Sequence, residues 1–354
     1  MSEFDTLVGL VSQYSPSGQE RGAVEWLVAR MKALGFDDAC VDGVGNAVGV
    51  MGKGAKQVVL LGHIDTVPGE IHVHVENVGA TGQSPRLYGR GSVDAKAPLA
   101  CFVDAVAKAG AKDGWQFVVI GAVEEERDSE GARFIVDKYK PDFAIIGEPN
   151  QWDRVALGYK GSAWANVTVT RGQAHTASGE ETAAEAAVEA WMKIKSHVDS
   201  FNADKQKAFD KLLLTLRGME SDSNDFEQWA RLKVGVRLPV EVSPEEWYQK
   251  LEEIVGDAKV ERIGFAVSAW GCEKNTKLVR AFLNGIRSNG GEPRFVYKTG
   301  TADLNIVAPV WKCPAVVYGP GDSSLDHTPN EHIDLNDYQN AVNVLADVLN
   351  RIQA

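Results

Sequence analysis

Residues 58–68 read Val-Val-Leu-Leu-Gly-His-Ile-Asp-Thr-Val-Pro. The four leading residues form a continuous apolar run, which is typical of a strand buried on both faces of a sheet. Similar runs recur at residues 116–122 and 142–146, and helical patterns lie at residues 95–108 and 129–139. This alternation of strands and helices predicts a mostly parallel sheet flanked by helices, and therefore an α/β fold.

The pattern changes near residue 154 and changes back near residue 275. Between these points the sequence predicts strand, helix, two strands, helix and strand, at residues 163–170, 182–198, 212–217, 230–239, 244–255 and 258–269. This βαββαβ order is typical of a ferredoxin-like α+β domain. We therefore expect a main domain at residues 1–153 and 270–354, interrupted by an inserted domain at residues 154–269.

The composition is that of an ordinary globular protein. Of the 354 residues, 44% are hydrophobic, and 49 acidic against 37 basic residues give a net charge of −12. This balance argues against broad binding to nucleic acid or to a membrane surface. The four cysteines include no CxxC pair, which indicates reduced thiols. An acidic N-terminus and the lack of a membrane-length apolar run predict a cytoplasmic protein.

His63 ends the strand quoted above, and Asp65 lies two residues later. Residues two apart in an extended segment share a face, so the carboxylate can hold the second ring nitrogen of the imidazole. Such carboxylates accompany metal-bound histidines. A histidine in a capped turn explains this pair equally well.

Further acidic residues follow glycine-rich or strand segments. Asp94 precedes a predicted helix, so it is either a ligand or a helix N-cap. Glu124, Glu125 and Glu126 directly follow a predicted buried strand. A solvated acidic loop is the usual explanation of such a run, but the carboxyl ends of strands are where open α/β sheets bind ligands. One glutamate could then bind a metal while its neighbour acts on water.

Glu148 and His327 complete this set, because each follows a predicted strand of the same sheet. A mixture of imidazoles and carboxylates suits Zn²⁺ or a similar divalent ion. Five side chains exceed the number that one catalytic zinc takes from a protein. A pair of ions about 3.5–4 Å apart, bridged by a carboxylate, fits that number better.

Two other segments resemble catalytic or phosphate-binding motifs only in part. Residues 321–327 contain Ser, Asp and His, but the GxSxG turn of a serine hydrolase is absent. The glycines at residues 43–52 lack the GK[ST] ending of a phosphate loop and suit turns between strands.

Taken together, five segments resemble the M20 metallopeptidase family, in the order that the family has them. They are Gly-His-Ile-Asp-Thr-Val-Pro at 62–68, Gly-Arg-Gly-Ser-Val-Asp-Ala-Lys at 89–96, Glu-Glu-Glu at 124–126, Gly-Glu-Pro at 147–149 and Asp-His-Thr-Pro-Asn-Glu at 326–331. The resemblance covers essentially the whole chain. It implies a two-metal amide hydrolase, with Zn²⁺ as the expected metal and Co²⁺ as the alternative. It also implies that the inserted domain is a lid through which the protein dimerises.

The resemblance implies a ligand set. His63 and Glu148 would bind one ion, Glu125 and His327 the other, and Asp94 would bridge them.

It also implies roles for residues around these ligands. Glu124 would be the general base, Asp65 would orient His63, and a cis peptide bond is expected between Asp94 and Ala95.

Four residues outside the metal ligands match family positions that contact the substrate. His175 would reach across a dimer to the substrate carbonyl, and Arg237 would bind a substrate carboxylate. Thr301 and Asp303 would contact the α-carboxylate and the amino end of the substrate.

Residues 148–161 and 298–305 look most like the lysine-biosynthesis branch of the family. Those enzymes release lysine or ornithine from the γ-carboxyl group of a glutamate on a small acidic amino-group carrier protein. Within the same chemistry, an N-acetylornithine or N-acetyl-lysine deacetylase, a succinyl-diaminopimelate desuccinylase or a dipeptidase is the alternative. A non-catalytic binding scaffold is the alternative from another class.

An acidic carrier should be repelled by an acidic enzyme. We therefore expect a local basic rim at the mouth of the cleft, formed by residues such as Lys160, Arg171 and Lys298.

Overall fold

The computed structural model of the chain describes residues 3–76 and 84–352. Its described residues divide into two compact units. The first unit draws on Met1–Gly158, Cys272–Tyr297 and Ala302–Ala354, and the second on Tyr159–Gly271 and Lys298–Thr301. The predicted insertion at residues 154–269 overlaps most of the second unit, and sequence patterns did not predict that Lys298–Thr301 belongs to it.

The regular elements follow one another in chain order, with helices and strands numbered separately. The helices are α1 (Asp5–Val11), α2 (Arg21–Ala33), α3 (Lys96–Ala109), α4 (Glu130–Ile135), α5 (Ala183–Asn202), α6 (Pro244–Val255), α7 (Lys277–Ser288), α8 (Leu304–Trp311) and α9 (Leu335–Arg351). The strands are β1 (Asp38–Val41), β2 (Ala47–Met51), β3 (Lys56–His63), β4 (His74–Glu76), β5 (Arg86–Tyr88), β6 (Trp115–Ala122), β7 (Phe143–Gly147), β8 (Arg154–Tyr159), β9 (Gly161–Gly172), β10 (Leu213–Ser223), β11 (Glu227–Leu238), β12 (Lys259–Val267), β13 (Trp270–Gly271), β14 (Arg294–Lys298), β15 (Ala315–Val317) and β16 (His332–Asp334).

The main sheet of the first unit confirms the predicted α/β class. Its strands lie in the order β1-β2-β6-β3-β7-β15-β8, and β14 also pairs with β8. The central strands β6, β3, β7 and β15 run parallel to one another. Every residue from Val58 to His63 is buried, so helices cover both faces of the sheet as the apolar run predicted.

Helix α3 shows how the first unit packs. Most of its residues are buried, and it contacts β3, α1 and α9. Its side chains join the same core as those of β3 and α9, for example Phe102, Leu60 and Leu345. Burial of apolar area at about 25 cal/mol per Å² is the main source of stability for such a core.

A small antiparallel sheet accompanies the main sheet, with the strand order β16-β5-β4. Its register pairs Tyr88 with both His332 and His74. The chain leaves this sheet at residue 89 and reaches Asp94 just before α3.

The second unit has the predicted βαββαβ order, β9-α5-β10-β11-α6-β12. Its antiparallel sheet has the strand order β10-β11-β9-β12. Capping boxes at Thr182 and Ser243 start its two helices. Alternate residues of β9, beginning with Ala163 and Ala165, are buried in a separate core with α5 and α6.

The strand order places the carboxyl ends of the central strands together. Because β6, β3, β7 and β15 are parallel neighbours, these ends meet at one edge of the main sheet, and the segments that leave them lie side by side.

Within residues 3–76 and 84–352, no helix combines the length and the apolar character needed to cross a membrane.

Candidate metal centre

The carboxyl edge of the main sheet gathers the predicted ligand segments. His63 is the last residue of β3, Glu148 follows β7, and Glu124, Glu125 and Glu126 begin one residue after β6 ends. His327 follows β15 after a short loop. These residues are far apart in the sequence but meet because their strands are adjacent and parallel.

Asp94 is shared by two groups of potential metal donors. His63, Asp94 and Glu148 form one group, and Asp94, Glu126 and His327 form the other. Within each group the donor atoms lie within 4.8 Å of one another. The peptide bond after Asp94 is cis, as predicted.

His63 is oriented by the residue two positions later. Its Nδ1 donates to the backbone carbonyl oxygen of Asp65 (3.0 Å) and lies 3.4 Å from the carboxylate Oδ1 of Asp65. Because Nδ1 carries the proton, the lone pair of Nε2 is available for a ligand. Nε2 lies 3.2 Å from Oδ1 of Asp94.

The carboxylate of Asp65 also holds the loop that follows β6. Its Oδ1 accepts the backbone N–H of Glu125 and its Oδ2 accepts that of Glu126, both at 3.1 Å. Oδ2 also accepts the Ser17 hydroxyl (2.7 Å). Asp65 is fully buried, so one carboxylate places both the imidazole of His63 and the backbone of the acidic run.

The partner of His327 is Glu126. Nε2 of His327 lies 3.0 Å from Oε1 of Glu126 and 3.0 Å from Oδ2 of Asp94. The structure therefore places Glu126, and not the predicted Glu125, beside His327.

Glu125 lies next to this cluster without joining either donor group. Burial raises the pKa of Glu125 well above its usual range, and the negative charges of Glu148, Asp303 and Glu126 add to this effect. A half-buried carboxyl group with a raised pKa binds a proton more readily than an exposed one, which suits a general base.

Glu124, predicted to be the general base, faces another part of the molecule. Both of its carboxylate oxygens accept hydrogen bonds from Nη2 of Arg127, at 2.7 and 2.8 Å. It lines a cavity of about 550 Å³ together with Gly18, Glu20 and Arg21. This placement does not fit the predicted role of Glu124.

The backbone explains the shift by one residue. Glu124 has a left-handed conformation, with φ of 60°. Its carbonyl oxygen accepts the N–H groups of Asp128 and Ser129, which closes a tight turn. The prediction assumed that the acidic run continues the strand, with neighbours pointing in opposite directions, and the turn removes that alternation. Three identical residues in a row gave no sequence signal that could locate it.

The charges of the centre favour a bound cation. Hydrogen bonds to Asp94 and Glu126 raise the pKa of His327 to about 10. Burial alone would raise the pKa of Asp94, but hydrogen bonds with His327 and His63 outweigh it and keep that pKa below its usual range. Burial and the neighbouring charge of Asp94 raise the pKa of Glu148. The arrangement stabilises positive charge where the carboxylates meet.

These donors fit two divalent ions. Each group offers one imidazole nitrogen and two carboxylates, and Asp94 can give one oxygen to each ion. Imidazole and carboxylate ligands with room for a water molecule are typical of catalytic rather than structural zinc sites. His63, Glu148, Glu126 and His327 would complete the ligand set around a bridging Asp94.

Asp303 supplies a buried carboxylate near the centre. It is only 2% exposed, and the charge of His63 and a hydrogen bond with the side chain of Ser129 favour its charged form. Burial outweighs these contacts and raises the pKa of Asp303 to about 6. A buried carboxylate that lacks full compensation is suited to meet a cationic group of a ligand.

Three other predicted residues lie in the second unit. His175 is exposed in the loop between β9 and α5, and its Nδ1 accepts the backbone N–H of Ala177 (3.1 Å). Nη1 of Arg237, in β11, donates to the hydroxyl of Thr301 (3.1 Å).

Two residues of the predicted basic rim do not fit a basic docking surface. Lys160 is fully buried, and its Nζ donates to the carbonyl oxygens of Phe209 and Lys211. Arg171 forms ion pairs with Glu181 (3.3 Å) and Asp257 (2.9 Å), which offset its charge. The expectation rested on the charge of an acidic carrier, and the sequence did not reveal which of these side chains are buried or paired.

Comparison with known proteins agrees with this geometry. Residues 59–351 match the peptidase family M20/M25/M40. The chain is 40% identical to a [LysW]-lysine hydrolase of Deinococcus radiodurans over 97% of its own length and 94% of that protein. It is also 40% identical to a protein of Thermococcus kodakarensis described as a putative [LysW]-lysine/[LysW]-ornithine hydrolase, over 97% and 90% of the two chains.

Solved structures share the fold at low sequence identity. The M20 family metallo-carboxypeptidase Sso-CP2 of Sulfolobus solfataricus has a TM-score of 0.74 at 18% identity, covering 99% of each chain. The aminopeptidase PepT of Bacillus cereus has a TM-score of 0.78 at 16% identity, covering 98% of this chain and 97% of its own.

The placement of Glu126 predicts the effect of single substitutions on metal content. Glu126→Gln should lower the content from two ions towards one per chain, because it removes a charged ligand from the group that contains His327. Glu124→Gln is the matched control and should leave the content unchanged. Elemental analysis of both variants after dialysis against trace Zn²⁺ measures this. Loss of metal from Glu124→Gln with normal metal in Glu126→Gln would contradict the placement.

Proposed function

The chain belongs to the peptidase family M20/M25/M40, and on that premise we propose that it hydrolyses an amide bond to release lysine or ornithine from an amino-group carrier protein. Proteins of this family are metal-dependent hydrolases, typically with two ions. The bond broken would join the amino group of lysine or ornithine to the γ-carboxyl group of a glutamate on the carrier.

One structural observation carries the hydrolase part of the proposal. Asp94 belongs to both groups of metal donors, and the half-buried Glu125 lies beside them. A bridged pair of divalent ions next to a free carboxylate is suited to amide hydrolysis, which needs a strong nucleophile and a polarised carbonyl.

The substrate part of the proposal is supported by the relatives. Those from Deinococcus radiodurans and Thermococcus kodakarensis are named for the carrier LysW, and each is 40% identical to this chain over nearly its full length. The buried carboxylate of Asp303 is consistent with a product that carries a free ammonium group.

The metal pair, with Zn²⁺ proposed and Co²⁺ as the alternative, supplies Lewis acidity for the amide carbonyl and for water. His63, Asp94, Glu148, Glu126 and His327 would hold it. Asp65 keeps His63 in the required tautomer and holds the backbone of the loop with Glu125 and Glu126.

Glu125 replaces Glu124 as the proposed general base. Its carboxylate takes a proton from the attacking water and passes it to the nitrogen of the leaving amine. Burial and the neighbouring carboxylates raise its pKa, which strengthens it as a proton acceptor.

Asp303 and Arg237 are proposed to bind the amino-acid portion of the substrate. The side-chain ammonium of lysine or ornithine would pair with the carboxylate of Asp303, and its α-carboxylate with the guanidinium of Arg237. Thr301 would position Arg237 through the hydrogen bond between them.

His175 is proposed to donate a hydrogen bond to the carbonyl oxygen from a second copy of the chain. Its Nδ1 accepts a backbone N–H, so the neutral ring carries its proton on Nε2 and can donate from there. Hydrogen-bond donors to a developing oxyanion lower the barrier of acyl transfer.

A homodimer through the second unit is part of this proposal. Val188 and Met192 lie one turn apart on α5 and are 48% and 57% exposed. Strand β10, an edge strand of the same sheet, exposes Met219. An apolar helix face beside an open sheet edge is suited to pairing with a second copy. A cytoplasmic location also remains a proposal.

The proposed substrate is tested by an activity panel with the purified, Zn²⁺-loaded protein. We expect the highest kcat/KM on the carrier protein with lysine or ornithine attached to its terminal glutamate. N-acetylornithine, N-acetyl-lysine, N-succinyl-diaminopimelate and a dipeptide should each react far more slowly. A preference for any of these would contradict the proposed substrate without contradicting the proposed metal centre. No hydrolysis of any of them by metal-loaded protein would support a scaffold instead.

The role of Asp303 predicts a substrate-dependent defect. Asp303→Asn should lower kcat/KM for the lysine conjugate about 10–100-fold, because a charged hydrogen bond contributes about 1.5–3 kcal/mol. A norleucine conjugate lacks the ammonium group and serves as the control. An equal loss on both conjugates would show that Asp303 does not read the ammonium.

The general-base assignment predicts a separation of turnover from metal binding. Glu125→Gln should keep both ions and lose about 10²–10⁴-fold in kcat, since it removes the proton acceptor. Glu124→Gln, the neighbour bound to Arg127, should remain active. Steady-state kinetics with elemental analysis of each sample measures this, and near-normal kcat for Glu125→Gln would refute the assignment.

The action of His175 from a second copy is tested by mixing inactive variants. In a dimer of Glu125→Gln with His175→Ala, one of the two sites has both residues intact if His175 acts across the dimer. Mixing at equal concentrations should then restore roughly a quarter of the wild-type sites, because half of the dimers are mixed. If the subunits are shown to exchange and the mixture still has no activity, His175 acts within its own chain or not at all.

A further inference from the structure

A buried ion pair lies beside the metal centre, formed by two residues to which the mechanism assigns no role. Arg90 is 7% exposed and Glu331 is fully buried, and Nη1 of Arg90 lies 2.8 Å from Oε2 of Glu331. They meet because β5 and β16 pair Tyr88, two residues before Arg90, with His332, the residue after Glu331. Removing one partner of a buried pair leaves an uncompensated charge, so the two are interdependent.

The second oxygen of Glu331 holds the backbone at Asp94. Oε1 accepts the N–H of Val93 (2.9 Å) and the N–H of Asp94 (3.1 Å). The carboxylate of Asp94 reaches both donor groups, so an error in its backbone position would affect both ions at once. Glu331 therefore acts on the centre through Asp94.

The remaining N–H groups of Arg90 bind two further ligand segments. Its Nε donates to the carbonyl oxygen of Gly69 (2.9 Å), in the segment that continues from His63 and Asp65. Its Nη1 also donates to the carbonyl oxygen of Thr328 (3.1 Å), the residue after His327. One guanidinium thus joins the segments that carry His63 and His327.

These contacts oppose the repulsion between the carboxylates of the centre. Asp94, Glu126 and Glu148 carry like charges within a few ångströms, and their repulsion tends to separate the loops until positive charge offsets it. Arg90 and Glu331 bind the same loops through backbone groups and a buried pair, without using any metal donor atom. Residues behind the ligands often decide how tightly a site binds its metal.

We infer that Arg90 and Glu331 form a clamp that sets the spacing of the ligand loops, and that they are positioning residues for both ions. The inference rests on the metal-binding part of the proposed function and is independent of the substrate. Both residues lie inside the motifs at 89–96 and 326–331 that carried the family resemblance, where only Asp94 and His327 had been assigned a role.

The first test measures the affinity of the metal-stripped protein for Zn²⁺ by competition with a chelating dye. Glu331→Gln should weaken binding about 10–100-fold, because its amide NH₂ must face either the guanidinium or the two backbone N–H groups. Arg90→Lys keeps the charge, but its single nitrogen cannot occupy the positions of both Nε and Nη1, so it should weaken binding to a smaller extent. Asp104→Asn is the matched control, because the carboxylate of Asp104 accepts hydrogen bonds from Thr6 and Tyr338 in the same unit. It should lower the melting temperature without changing the affinity.

A double variant separates positioning from simple stabilisation. Arg90→Met with Glu331→Met removes both buried charges and should fold at least as stably as either single variant. It still lacks an acceptor for the N–H groups of Val93 and Asp94, so its affinity for Zn²⁺ should stay low. This variant also carries the test if Glu331→Gln does not fold.

A wild-type affinity for Zn²⁺ in the double variant, or in both single variants, would contradict the clamp but not the proposed metal centre. If the wild-type protein bound no stoichiometric Zn²⁺ or Co²⁺, the metal centre of the proposed function would fail, and the clamp with it. Loss of activity on the carrier substrate alone would leave the clamp unaffected, because the readout is metal affinity.

Discussion

The carboxylate of Asp94 is the interaction on which the functional part of the molecule depends. One oxygen lies 3.2 Å from His63 and the other 3.0 Å from His327, so a single side chain joins segments more than two hundred residues apart in the sequence. Several further carboxylates surround it, and such a concentration of negative charge requires cations. The fold makes this possible by bringing the ends of four parallel strands to one edge of a sheet.

The residues that surround the potential ligands make hydrogen bonds that fix the positions of those ligands. Asp65 fixes the tautomer of His63 and binds the N–H groups of Glu125 and Glu126. Glu331 holds the backbone of Asp94 through two N–H groups. Neither Asp65 nor Glu331 belongs to a donor group, so both can order the loops through backbone N–H groups without binding an ion. One set of side chains is therefore available to bind metal, and a second set holds the first in position.

Part of the net charge of −12 comes from acidic residues at the metal centre. Asp65, Asp94, Glu125, Glu126 and Glu148 lie in or beside the centre, where bound cations offset their charge. The other acidic residues are distributed over the rest of the chain. Two of the three expected rim cations are unavailable, since Lys160 is buried and Arg171 is paired, so attraction of an acidic partner cannot depend on them.

The sequence by itself determined the layout. Continuous apolar runs predicted the buried parallel strands, and alternation predicted the sheet of the second unit, because periodicity is a local property. The ends of the predicted strands indicated His63, Glu148 and His327 as site residues. Only the tertiary structure decided which glutamate faces the centre. Glu124 adopts a left-handed turn that shifts the run by one residue, and three identical side chains carry no signal of it. The burial of Lys160 and the meeting of Arg90 with Glu331 likewise depend on long-range packing and strand register, which no local pattern encodes.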